Sequence, residues 1–366
     1  MIKYLFYIDV FKNQGGAQRV MSNVIRYLVS KKNEVVLVVD YDDNSPYYDS
    51  ELEKKIKIHH LTNKNKGGSL IKNIRKVLRL RQIIRNETPN ICISFLGLPN
   101  IRLLLSTFGL KMPRVVSVRS DPNKEYGKNS LVRFAINMLF SGATGVIVQT
   151  EYVKDYFYKH VQKKCHILYN PVSDSLYDLK RPVIESGIVT FGSLLECKNH
   201  IMLIKAFSEV KDDFPDDDLY IYGQGEYKSK LENYISELHL NDRVHLPGNS
   251  SNVGAILVKS KVFVLSSNYE GMPNALMEAM ATGTPSISTD CPSGGPRTLI
   301  TTIDEGILVP VDDYKAMAAA MIRMKDGNVR ARMSAATKKR AMVFKGEQVL
   351  NSWEKYLVSL VGKVNS

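Results

Sequence analysis

The sequence contains few of the residues from which disulfide frameworks and zinc sites are built. Its 366 residues include only four cysteines, and no two of them have C-x-x-C spacing: Cys92, Cys165, Cys197 and Cys291. Zinc sites and disulfide scaffolds depend on closely spaced or paired cysteines. We therefore expect neither kind of site, and a reducing compartment such as the cytoplasm is the simplest setting for the chain.

Long apolar runs are also missing. No segment approaches the ~18 consecutive apolar residues that a membrane-spanning helix requires. The apolar run in the N-terminal stretch "MIKYLFYIDVFKNQGG" is short, Asp9 interrupts it, and no small-residue cleavage site follows, so the stretch does not fit a signal peptide. We expect a protein that can lie on a membrane but does not cross it.

Acidic residues are scarce in the first half of the chain. Residues 1–180 carry 29 Lys+Arg against 15 Asp+Glu, a net charge of +14, whereas the remainder carries 21 against 22, a net charge of −1. A charge this uneven favours an anionic partner for the first half, which could be a membrane surface, a nucleic acid or a phosphorylated substrate.

The positive charge is densest in "SLIKNIRKVLRLRQIIRN", residues 69–86. Seven apolar residues recur there at helical spacing: Leu70, Ile71, Ile74, Val77, Leu78, Ile83 and Ile84. The pattern predicts a basic amphipathic helix, which is typical of membrane surfaces. A core-packed helix with a solvated basic face would show the same pattern. The membrane-facing candidates are Lys72, Arg75, Lys76 and Arg79.

Short apolar segments alternate with helical ones in both halves of the chain. Segments such as "EVVLVVD" and "GVIVQT" in the first half, and "IVTFGS" and "VFVLSS" in the second, are typical of buried strands. This alternation predicts an α/β protein of two Rossmann-like domains facing across a cleft, each with a parallel sheet covered by helices. We expect an N-terminal domain over 1–170, a linker over 171–187 that begins near Asn170-Pro171, a C-terminal domain over 188–340 and a helical segment over 341–366.

Glycine-rich turns follow several of the predicted strands. In such sheets, ligands bind where a strand leads into a helix. Gly15 and Gly16 follow the first strand and open a helix, so their backbone amides could approach a phosphate, although a tight turn without ligand would look the same. Lys198, in "FGSLLECKNH", could reach an anion, or it could be a solvated surface lysine.

The stretch "SNYEGMPNALMEAMATGTPS", residues 267–286, holds two carboxylates eight positions apart. Glu270 lies in the turn after a buried strand, and Glu278 lies inside the next helix, for which Asn274 is the expected N-cap. Amides from Met272 to Asn274 are placed to bind a phosphate or sugar oxygen. Glu278 has apolar neighbours and needs hydrogen-bond donors, which ribose hydroxyls supply. Together these features predict a nucleotide-sugar site.

These segments resemble the retaining GT-B glycosyltransferases of family GT4. "EGMPNALMEAMATGTP" resembles that family's E-x7-E segment, and "GGAQRVMSNVIRYLV" resembles its GGAERV opening. "FGSLLECKNHIMLIKAF" and "ILYNPV" resemble its GRL…K segment and its entry into the second domain. The matches span most of the chain in the family's order. The resemblance implies the GT-B fold, with a C-terminal helix that returns toward the N-terminal domain.

The resemblance also implies roles for individual residues. Glu270 would contact the donor sugar near the reacting carbon, Glu278 would hold the ribose and Lys198 would neutralise the leaving diphosphate. The remaining donor-binding candidates are Gly15, Gly16, Ser193, Met272, Pro273 and Asn274.

Two positions depart from the family pattern. Ser193 stands where the family has an arginine, so either Lys198 suffices or a residue such as Arg297 replaces that arginine. Arg119 and Asp121 stand in "SVRSDPNKEY", where many relatives have a histidine, and they are the acceptor-side candidates.

The activity implied is transfer of a hexose or N-acetylhexosamine, with retention and without a metal or other cofactor, from a nucleotide sugar, with a UDP-sugar favoured. The acceptor would be a lipid-linked oligosaccharide of bacterial capsule or O-antigen synthesis. The enzyme would be a peripheral protein on the anionic inner face of the cell membrane. The alternatives are a sugar-nucleotide epimerase of the same architecture and a basic nucleic-acid-binding protein. The latter would leave the two glutamates unexplained.

Overall fold

A computed structural model describes residues 1–11, 15–41, 50–62, 70–182 and 185–365. The chain folds into two compact units. Unit 1 comprises Met1–Pro171 together with Gln348–Ser366, and unit 2 comprises Val172–Glu347. No helix in the described part of the chain combines the length and the apolar character that crossing a bilayer demands.

Unit 1 is built on a seven-stranded parallel sheet with the strand order β3-β2-β1-β4-β5-β6-β7. The strands are β1 (Lys3–Ile8), β2 (Glu34–Tyr41), β3 (Lys57–Thr62), β4 (Ile91–Phe95), β5 (Arg114–Ser117), β6 (Gly145–Val148) and β7 (Cys165–Ile167). Helices cover both faces, which is why β4 and β6 are buried at every residue and read as continuous apolar runs. The strand order reverses between β1 and β4, as in doubly wound folds.

The helices of the first part of unit 1 are α1 (Gly16–Ser30), α2 (Ser50–Glu53), α3 (Leu70–Glu87), α4 (Gly97–Ser106), α5 (Pro122–Glu125), α6 (Ser130–Phe140), α7 (Glu151–Lys154) and α8 (Lys159–Gln162). Helices α3, α4 and α6 cover one face of the sheet, where their buried residues pack against Val36, Val38, Val116 and Val118. Helix α1 covers the opposite face.

Unit 2 is built on a six-stranded parallel sheet with the strand order β10-β9-β8-β11-β12-β13. The strands are β8 (Ile188–Phe191), β9 (Leu219–Tyr222), β10 (Val244–Gly248), β11 (Val262–Leu265), β12 (Ser286–Thr289) and β13 (Ile307–Val309). The helices are α9 (His200–Val210), α10 (Lys228–Glu237), α11 (Val253–Lys259), α12 (Asn274–Ala281), α13 (Gly295–Leu299), α14 (Tyr314–Arg323) and α15 (Gly327–Ala341). The prediction of two Rossmann-like α/β domains is confirmed.

The last helix, α16 (Gly346–Asn365), begins in unit 2 and completes the core of unit 1. Trp353 and Leu357 are fully buried against the β1 face that carries Tyr4 and Phe6. The indole N–H of Trp353 donates a hydrogen bond to the carbonyl oxygen of Tyr169 at 3.1 Å. The expected return of the C-terminal helix toward the N-terminal domain is thereby confirmed.

Helix α3 forms as predicted, but the prediction assigned its apolar residues to a single face. Leu80, Ile83 and Ile84 are buried in unit 1, whereas Leu70, Ile71, Ile74 and Leu78 are 52–76% exposed. At about 100° per residue, the exposed group and the buried group point in roughly opposite directions. Residue 69, which the prediction included, lies outside the described residues.

Candidate active site

The site in unit 2 is built from the turns that follow β8 and β11. These two strands are hydrogen-bonded neighbours in a parallel sheet, so their carboxyl ends open on the same edge. The turn after β8 ends in a short 3-10 helix that carries Lys198. The turn after β11 carries Glu270 and leads into α12. The strand order therefore brings together two side chains that are 72 residues apart in sequence.

Lys198 and Glu270 form a charge-assisted hydrogen bond, with Nζ of the lysine 2.5 Å from Oε1 of the glutamate. The Ser267 hydroxyl donates to the same carboxylate oxygen at 2.7 Å. Burial favours a lower pKa for Lys198, but the Glu270 carboxylate outweighs burial and raises the pKa above its usual value. The lysine is therefore a fixed positive charge at neutral pH.

Hydrogen bonds between the two turns hold this pair in place. The backbone N–H of Asn268 donates to the Cys197 carbonyl at 2.8 Å, and the Ser266 hydroxyl donates to the Lys198 carbonyl at 2.8 Å. Asn199 lies in the left-handed region, with φ 47°, and its side-chain amide donates to Asn268 Oδ1 at 2.8 Å. Supporting bonds of this kind position the charged groups before a ligand arrives.

The turn after β12 closes the other side of Glu270. The Ser293 hydroxyl donates to the Glu270 carbonyl oxygen. A Cβ atom on Gly295 would lie 1.7 Å from the Gly271 carbonyl oxygen, so only glycine allows this approach of the two backbones. Three neighbouring strands therefore contribute to one compact site.

Helix α12 begins beside Glu270. Its N-cap is Pro273, with φ −73° and ψ 109°, and Asn274 is its first helical residue. The prediction that Asn274 is the N-cap is wrong by one residue, because the extended backbone at Pro273 places the boundary earlier. Proline has no side-chain acceptor, so the N-cap residue does not bond the amides of the first turn, and their partial positive charge faces this edge of the sheet. Glu278 lies one turn further on and is half-buried.

Ser193 and Arg297, the two positions that the resemblance singled out, each have a partner of their own. Ser193 lies in the turn after β8, and its carbonyl accepts a hydrogen bond from the Leu195 N–H at 2.9 Å. Arg297, the suggested replacement for the family's arginine, forms an ion pair with Asp290. Of the cationic candidates Lys198 and Arg297, Lys198 is the one paired with Glu270.

The candidates in unit 1 lie at the carboxyl ends of β1 and β5. Gly15 is the N-cap of α1 and Gly16 its first residue, whereas residues 12–14, just before them, lie outside the described part of the chain. Asp121 caps α5 by accepting the Asn123 N–H at 2.9 Å. Arg119 is buried, with 7% of its surface exposed, and its guanidinium lies over the rings of Phe95 and Trp353.

Arg119 also donates a hydrogen bond to Oδ1 of Asn170, which lies two residues before the chain enters unit 2 at Val172. Burial lowers the pKa of Arg119 to about 9. Its Nε and Nη1 atoms have no hydrogen-bond partner among the described residues.

Glu125 is a residue at this edge that the sequence reasoning missed. Burial raises its pKa to about 7, while the Gly97 N–H and Arg119 oppose the rise and the carboxylates of Asp121 and Asp9 add to it. Its Oε2 atom is buried and has no hydrogen-bond partner among the described residues. Buried polar atoms of this kind call for water or a ligand. The mixed charges of "RSDPNKEY" after β5 were the available signal.

Of the four membrane-facing candidates on α3, the structure turns Lys76 inward. Its ammonium group donates to Asp40 Oδ2 at 2.7 Å, and the same carboxylate oxygen accepts from Arg102 at 2.7 Å. Asp40 is buried, with 3% of its surface exposed, and both cations compensate its buried negative charge. The prediction that Lys76 faces a membrane is therefore corrected, whereas Lys72, Arg75 and Arg79 lie on the exposed side of the helix.

The chain is similar to known glycosyltransferases over nearly its whole length. The family described as "Glycosyltransferase Family 4" matches residues 14–176, and the family described as "Glycosyl transferases group 1" matches residues 180–340. An N-acetylgalactosamine-N,N'-diacetylbacillosaminyl-diphospho-undecaprenol 4-alpha-N-acetylgalactosaminyltransferase of Campylobacter jejuni is 30% identical over 363 residues, which cover 94% of this chain and 96% of that relative. A second Campylobacter jejuni enzyme, a GalNAc-alpha-(1->4)-GalNAc-alpha-(1->3)-diNAcBac-PP-undecaprenol alpha-1,4-N-acetyl-D-galactosaminyltransferase, is 27% identical over 369 residues and covers 98% and 99%.

Solved structures show the same fold at lower identity. Sucrose-phosphate synthase from Thermosynechococcus elongatus superposes with a TM-score of 0.84 at 17% identity, covering 99% of this chain and 100% of that one. HepE of Anabaena, solved with UDP and glucose, superposes with a TM-score of 0.82 at 19% identity, covering 98% and 100%. The two-sheet architecture and the full-length relatives lead to one conclusion: the chain belongs to the GT-B glycosyltransferases of family 4.

Proposed function

We propose that this glycosyltransferase moves a hexose or N-acetylhexosamine from a UDP-sugar to a lipid-linked oligosaccharide in bacterial surface polysaccharide synthesis. The transfer retains the anomeric configuration and uses no metal ion. The observation that carries the proposal is the Lys198–Glu270 pair at the start of α12, with 2.5 Å between the two charged groups.

In the structure, the ammonium group of Lys198 donates a hydrogen bond to the carboxylate of Glu270, so each charge is neutralised by the other. A bound nucleotide sugar offers each of them a new partner, because the diphosphate is anionic and the sugar hydroxyls are hydrogen-bond donors. Lys198 then donates to a phosphate oxygen and Glu270 accepts from a sugar hydroxyl near the reacting carbon. The negative charge that develops on the leaving diphosphate is met by Lys198 and by the first-turn amides of α12.

The other donor candidates complete this arrangement. The amides from Met272 to Asn274, around Pro273, bind the sugar and the diphosphate, and Glu278, one turn along α12, accepts from the ribose hydroxyls. Ser193 leaves the position of the family's arginine without a charge, so Lys198 supplies the positive charge there. Gly15 and Gly16 remain the phosphate-binding candidates of unit 1, because they open α1, where backbone amides favour an anion.

The names of the relatives support the choice of acceptor. Both Campylobacter jejuni relatives are named as acting on undecaprenol-linked diphospho-glycans, and other matched relatives are named for lipopolysaccharide core synthesis in Rhizobium meliloti and amylovoran synthesis in Erwinia amylovora. Both Campylobacter names specify an α-linked product. Forming an α-product from a donor whose sugar is α-linked is retention. The epimerase and nucleic-acid alternatives lose support, since these relatives are transferases.

The charge of unit 1 supports attachment to an anionic membrane. Its residues include 30 Lys+Arg against 14 Asp+Glu, a net charge of +16. Lys72, Arg75 and Arg79 lie on the exposed side of α3. An acceptor that is itself anchored in the inner face of the cell membrane requires an enzyme that works on that surface, as a peripheral protein on its cytoplasmic side.

The decisive experiment is a transfer assay with UDP- and GDP-sugars and a short polyprenyl-diphosphate glycan, in which NMR reads the anomeric configuration of the product. We expect an α-linked product from an α-linked donor, at a rate that excess EDTA leaves unchanged. An inverted product would contradict retention. Loss of activity on chelation, restored by Mn²⁺ or Mg²⁺, would contradict the metal-independent mechanism.

A further inference from the structure

Helix α6 of unit 1 has an outer side that is apolar and uncovered. Four of its large side chains are exposed: Leu131 by 74%, Met138 by 55%, Phe134 by 52% and Val132 by 41%. Its opposite side packs into unit 1 through Ile136, Asn137 and Phe140. A helix that is apolar on both sides requires a second apolar environment. We name the four exposed residues the α6 face.

The α6 face is free of charge over its whole width. At about 100° per residue, Leu131, Phe134 and Met138 fall within an arc of roughly 60°, with Ala135 and Val132 beside them. Arg133, the single charged residue of the helix, points away from the face. Its guanidinium donates to the Tyr156 carbonyl at 2.6 Å and to the Asp155 carbonyl at 3.0 Å.

The same layer of helices carries further exposed apolar residues. Helices α3, α4 and α6 cover one side of the sheet, where α4 packs against both of the others. Nineteen large apolar side chains are exposed among the described residues, and eleven of them belong to this layer and the turn after α4. Besides the α6 face they are Leu70, Ile71, Ile74, Leu78, Leu98, Leu105 and Phe108.

The segment of chain that forms this layer, which also includes β4, β5 and α5, is strongly basic. Residues 70–140 contain 13 Lys+Arg against 3 Asp+Glu, a net charge of +10 out of the +13 of the whole protein. A surface that combines apolar side chains with a strong positive charge matches a bilayer with anionic headgroups, where side chains enter the acyl boundary and cations meet phosphates. Seven of these basic residues are exposed, whereas none of the three acidic ones is: Lys72, Arg75, Arg79, Arg85, Lys111, Lys124 and Lys128. A protein interface between copies of this chain would bring two such basic surfaces together, which like-charge repulsion opposes.

We infer that the α6 face inserts into the acyl boundary of an anionic bilayer, while the basic side of α3 binds the headgroups. The inference rests on the proposed membrane attachment of unit 1 and assigns α6 as the element that enters the lipid. Attachment then has two components: an electrostatic one from α3, which salt screens, and an apolar one from α6, which salt does not weaken.

A tryptophan placed on the α6 face tests insertion directly. The chain has one tryptophan, Trp353, which is fully buried and gives a constant background. In Phe134→Trp, vesicles of phosphatidylethanolamine and phosphatidylglycerol should shift the emission to the blue, and lipids brominated on their acyl chains should quench it. Ile303→Trp, at an equally exposed apolar site in unit 2, is the matched control and should show neither change.

A second pair of variants measures the contribution to affinity. Phe134→Gln combined with Met138→Gln should weaken vesicle partitioning by roughly tenfold for each side chain, with the slope of binding against salt unchanged. Ile303→Gln should bind as the wild type does. Because the replaced side chains are exposed, thermal unfolding of each variant should match the wild type.

The outcomes separate this inference from the proposed function. If the wild type binds anionic vesicles in a salt-sensitive manner but Phe134→Trp is not quenched, α6 stays outside the lipid: the inference is wrong and the proposed membrane attachment stands. If the wild type does not bind vesicles at all, both are wrong. If sedimentation without lipid shows a dimer that Phe134→Gln dissociates, a second copy covers the α6 face and the inference is overturned.

Discussion

The two units share an architecture and differ in their surfaces. Each is a parallel sheet with helices on both sides, and they are similar in length. Unit 1 has a net charge of +16, whereas unit 2 has 20 Lys+Arg against 23 Asp+Glu, a net charge of −3. Fourteen of the nineteen exposed large apolar side chains of the described residues belong to unit 1, and five to unit 2.

This difference shows where function is encoded in a duplicated architecture. Both units have the same order of their first six strands. Both also have apolar strands, because a parallel sheet is buried on both faces. What distinguishes the units lies in the turns and on the outer helix surfaces. In unit 2, the distinctive feature is the Lys198–Glu270 ion pair in two turns. In unit 1, it is the basic and apolar surface of α3, α4 and α6.

The largest expected effect comes from unit 2. Glu270→Gln should lower the rate of sugar transfer by about 10³-fold, because under the proposed function it removes an anion that contacts the reacting sugar. The measurement is kcat on a saturating donor. Glu237→Gln, at the exposed end of α10, is the matched control and should keep the wild-type rate. A Glu270→Gln enzyme with wild-type kcat and an unchanged Tm would place the reaction elsewhere.

The next effect is on the stability of unit 1 and depends on pH. Glu125 has a pKa of about 7 in the fold against an ordinary 4.5, so the folded state holds its proton more tightly. Its contribution to stability is full below about pH 4.5 and is lost as pH rises through 7. Glu125→Gln keeps a neutral side chain, so at pH 8 it should stabilise unit 1 by about 2 to 3 kcal/mol relative to the wild type, and by little at pH 4.5.

Native-state hydrogen exchange, followed separately in peptides of each unit, is the measurement for Glu125. Amides of unit 2 serve as the internal control and should exchange alike in both proteins. A gain in protection that is equal at pH 4.5 and pH 8 would show that the carboxyl does not titrate as its burial implies.

A third effect sharpens the comparison of surfaces. Replacing Lys72, Arg75 and Arg79 by glutamine should weaken binding to anionic vesicles by about 10²-fold at low salt, since each basic residue near such a surface contributes about 1 kcal/mol. Lys76 is left in place because it pairs with Asp40. Hydrolysis of a soluble donor, which the proposed function assigns to the unit 2 site, should not change.

The matched control for the α3 variant is Lys315, Arg323 and Arg332 changed to glutamine. These three residues are exposed on unit 2, so the control removes the same charge from the other surface. Equal loss of vesicle binding in both triple variants would mean that total charge, rather than the surface of unit 1, governs attachment.

The smallest effect concerns Glu278. Glu278→Ala should raise the KM for the donor by about tenfold and change kcat less. The reason is the loss of one or two hydrogen bonds to a charged acceptor. Donor titrations with a fixed acceptor separate the two parameters. A change in kcat as large as that of Glu270→Gln would move Glu278 from nucleotide binding to the reacting centre.

The sequence predicted the strand, turn and helix around Glu270 because the signals for these elements are local. A buried strand, a Gly/Pro turn and a helix in succession place Glu270 and α12 without knowledge of the rest of the fold. Lys198 could be placed in the same way, because it lies in the turn that follows another buried strand, β8. By contrast, the inward turn of Lys76 depends on Asp40, 36 residues away, and no local pattern reports that contact.

Helix α3 shows a second limit of the sequence. Apolar residues at helical spacing predict the helix but do not tell which apolar stripe is buried. In the folded unit, Leu80, Ile83 and Ile84 pack into the core, and the other apolar residues stay exposed: Leu70, Ile71, Ile74 and Leu78. Glu125 was missed for a similar reason: it packs against Gly97 at the start of α4 and interacts with Arg119, and these residues come together only in the folded unit.

The return of α16 to unit 1 has a consequence for biosynthesis. The core around Trp353 and Leu357 is supplied by the last part of the chain, after the 176 residues of Val172–Glu347 have been made. At 5–20 residues per second, translation of that insert takes roughly 10 to 35 s. During this interval the sheet face with Tyr4 and Phe6 is covered by α1 but lacks the part of its cover that α16 supplies, while unit 2, a continuous segment, can fold first. Ribosomes that stop before Gln348 would therefore release chains in which unit 2 is complete and the hydrophobic core of unit 1 is only partly covered, and such chains are candidates for chaperone binding.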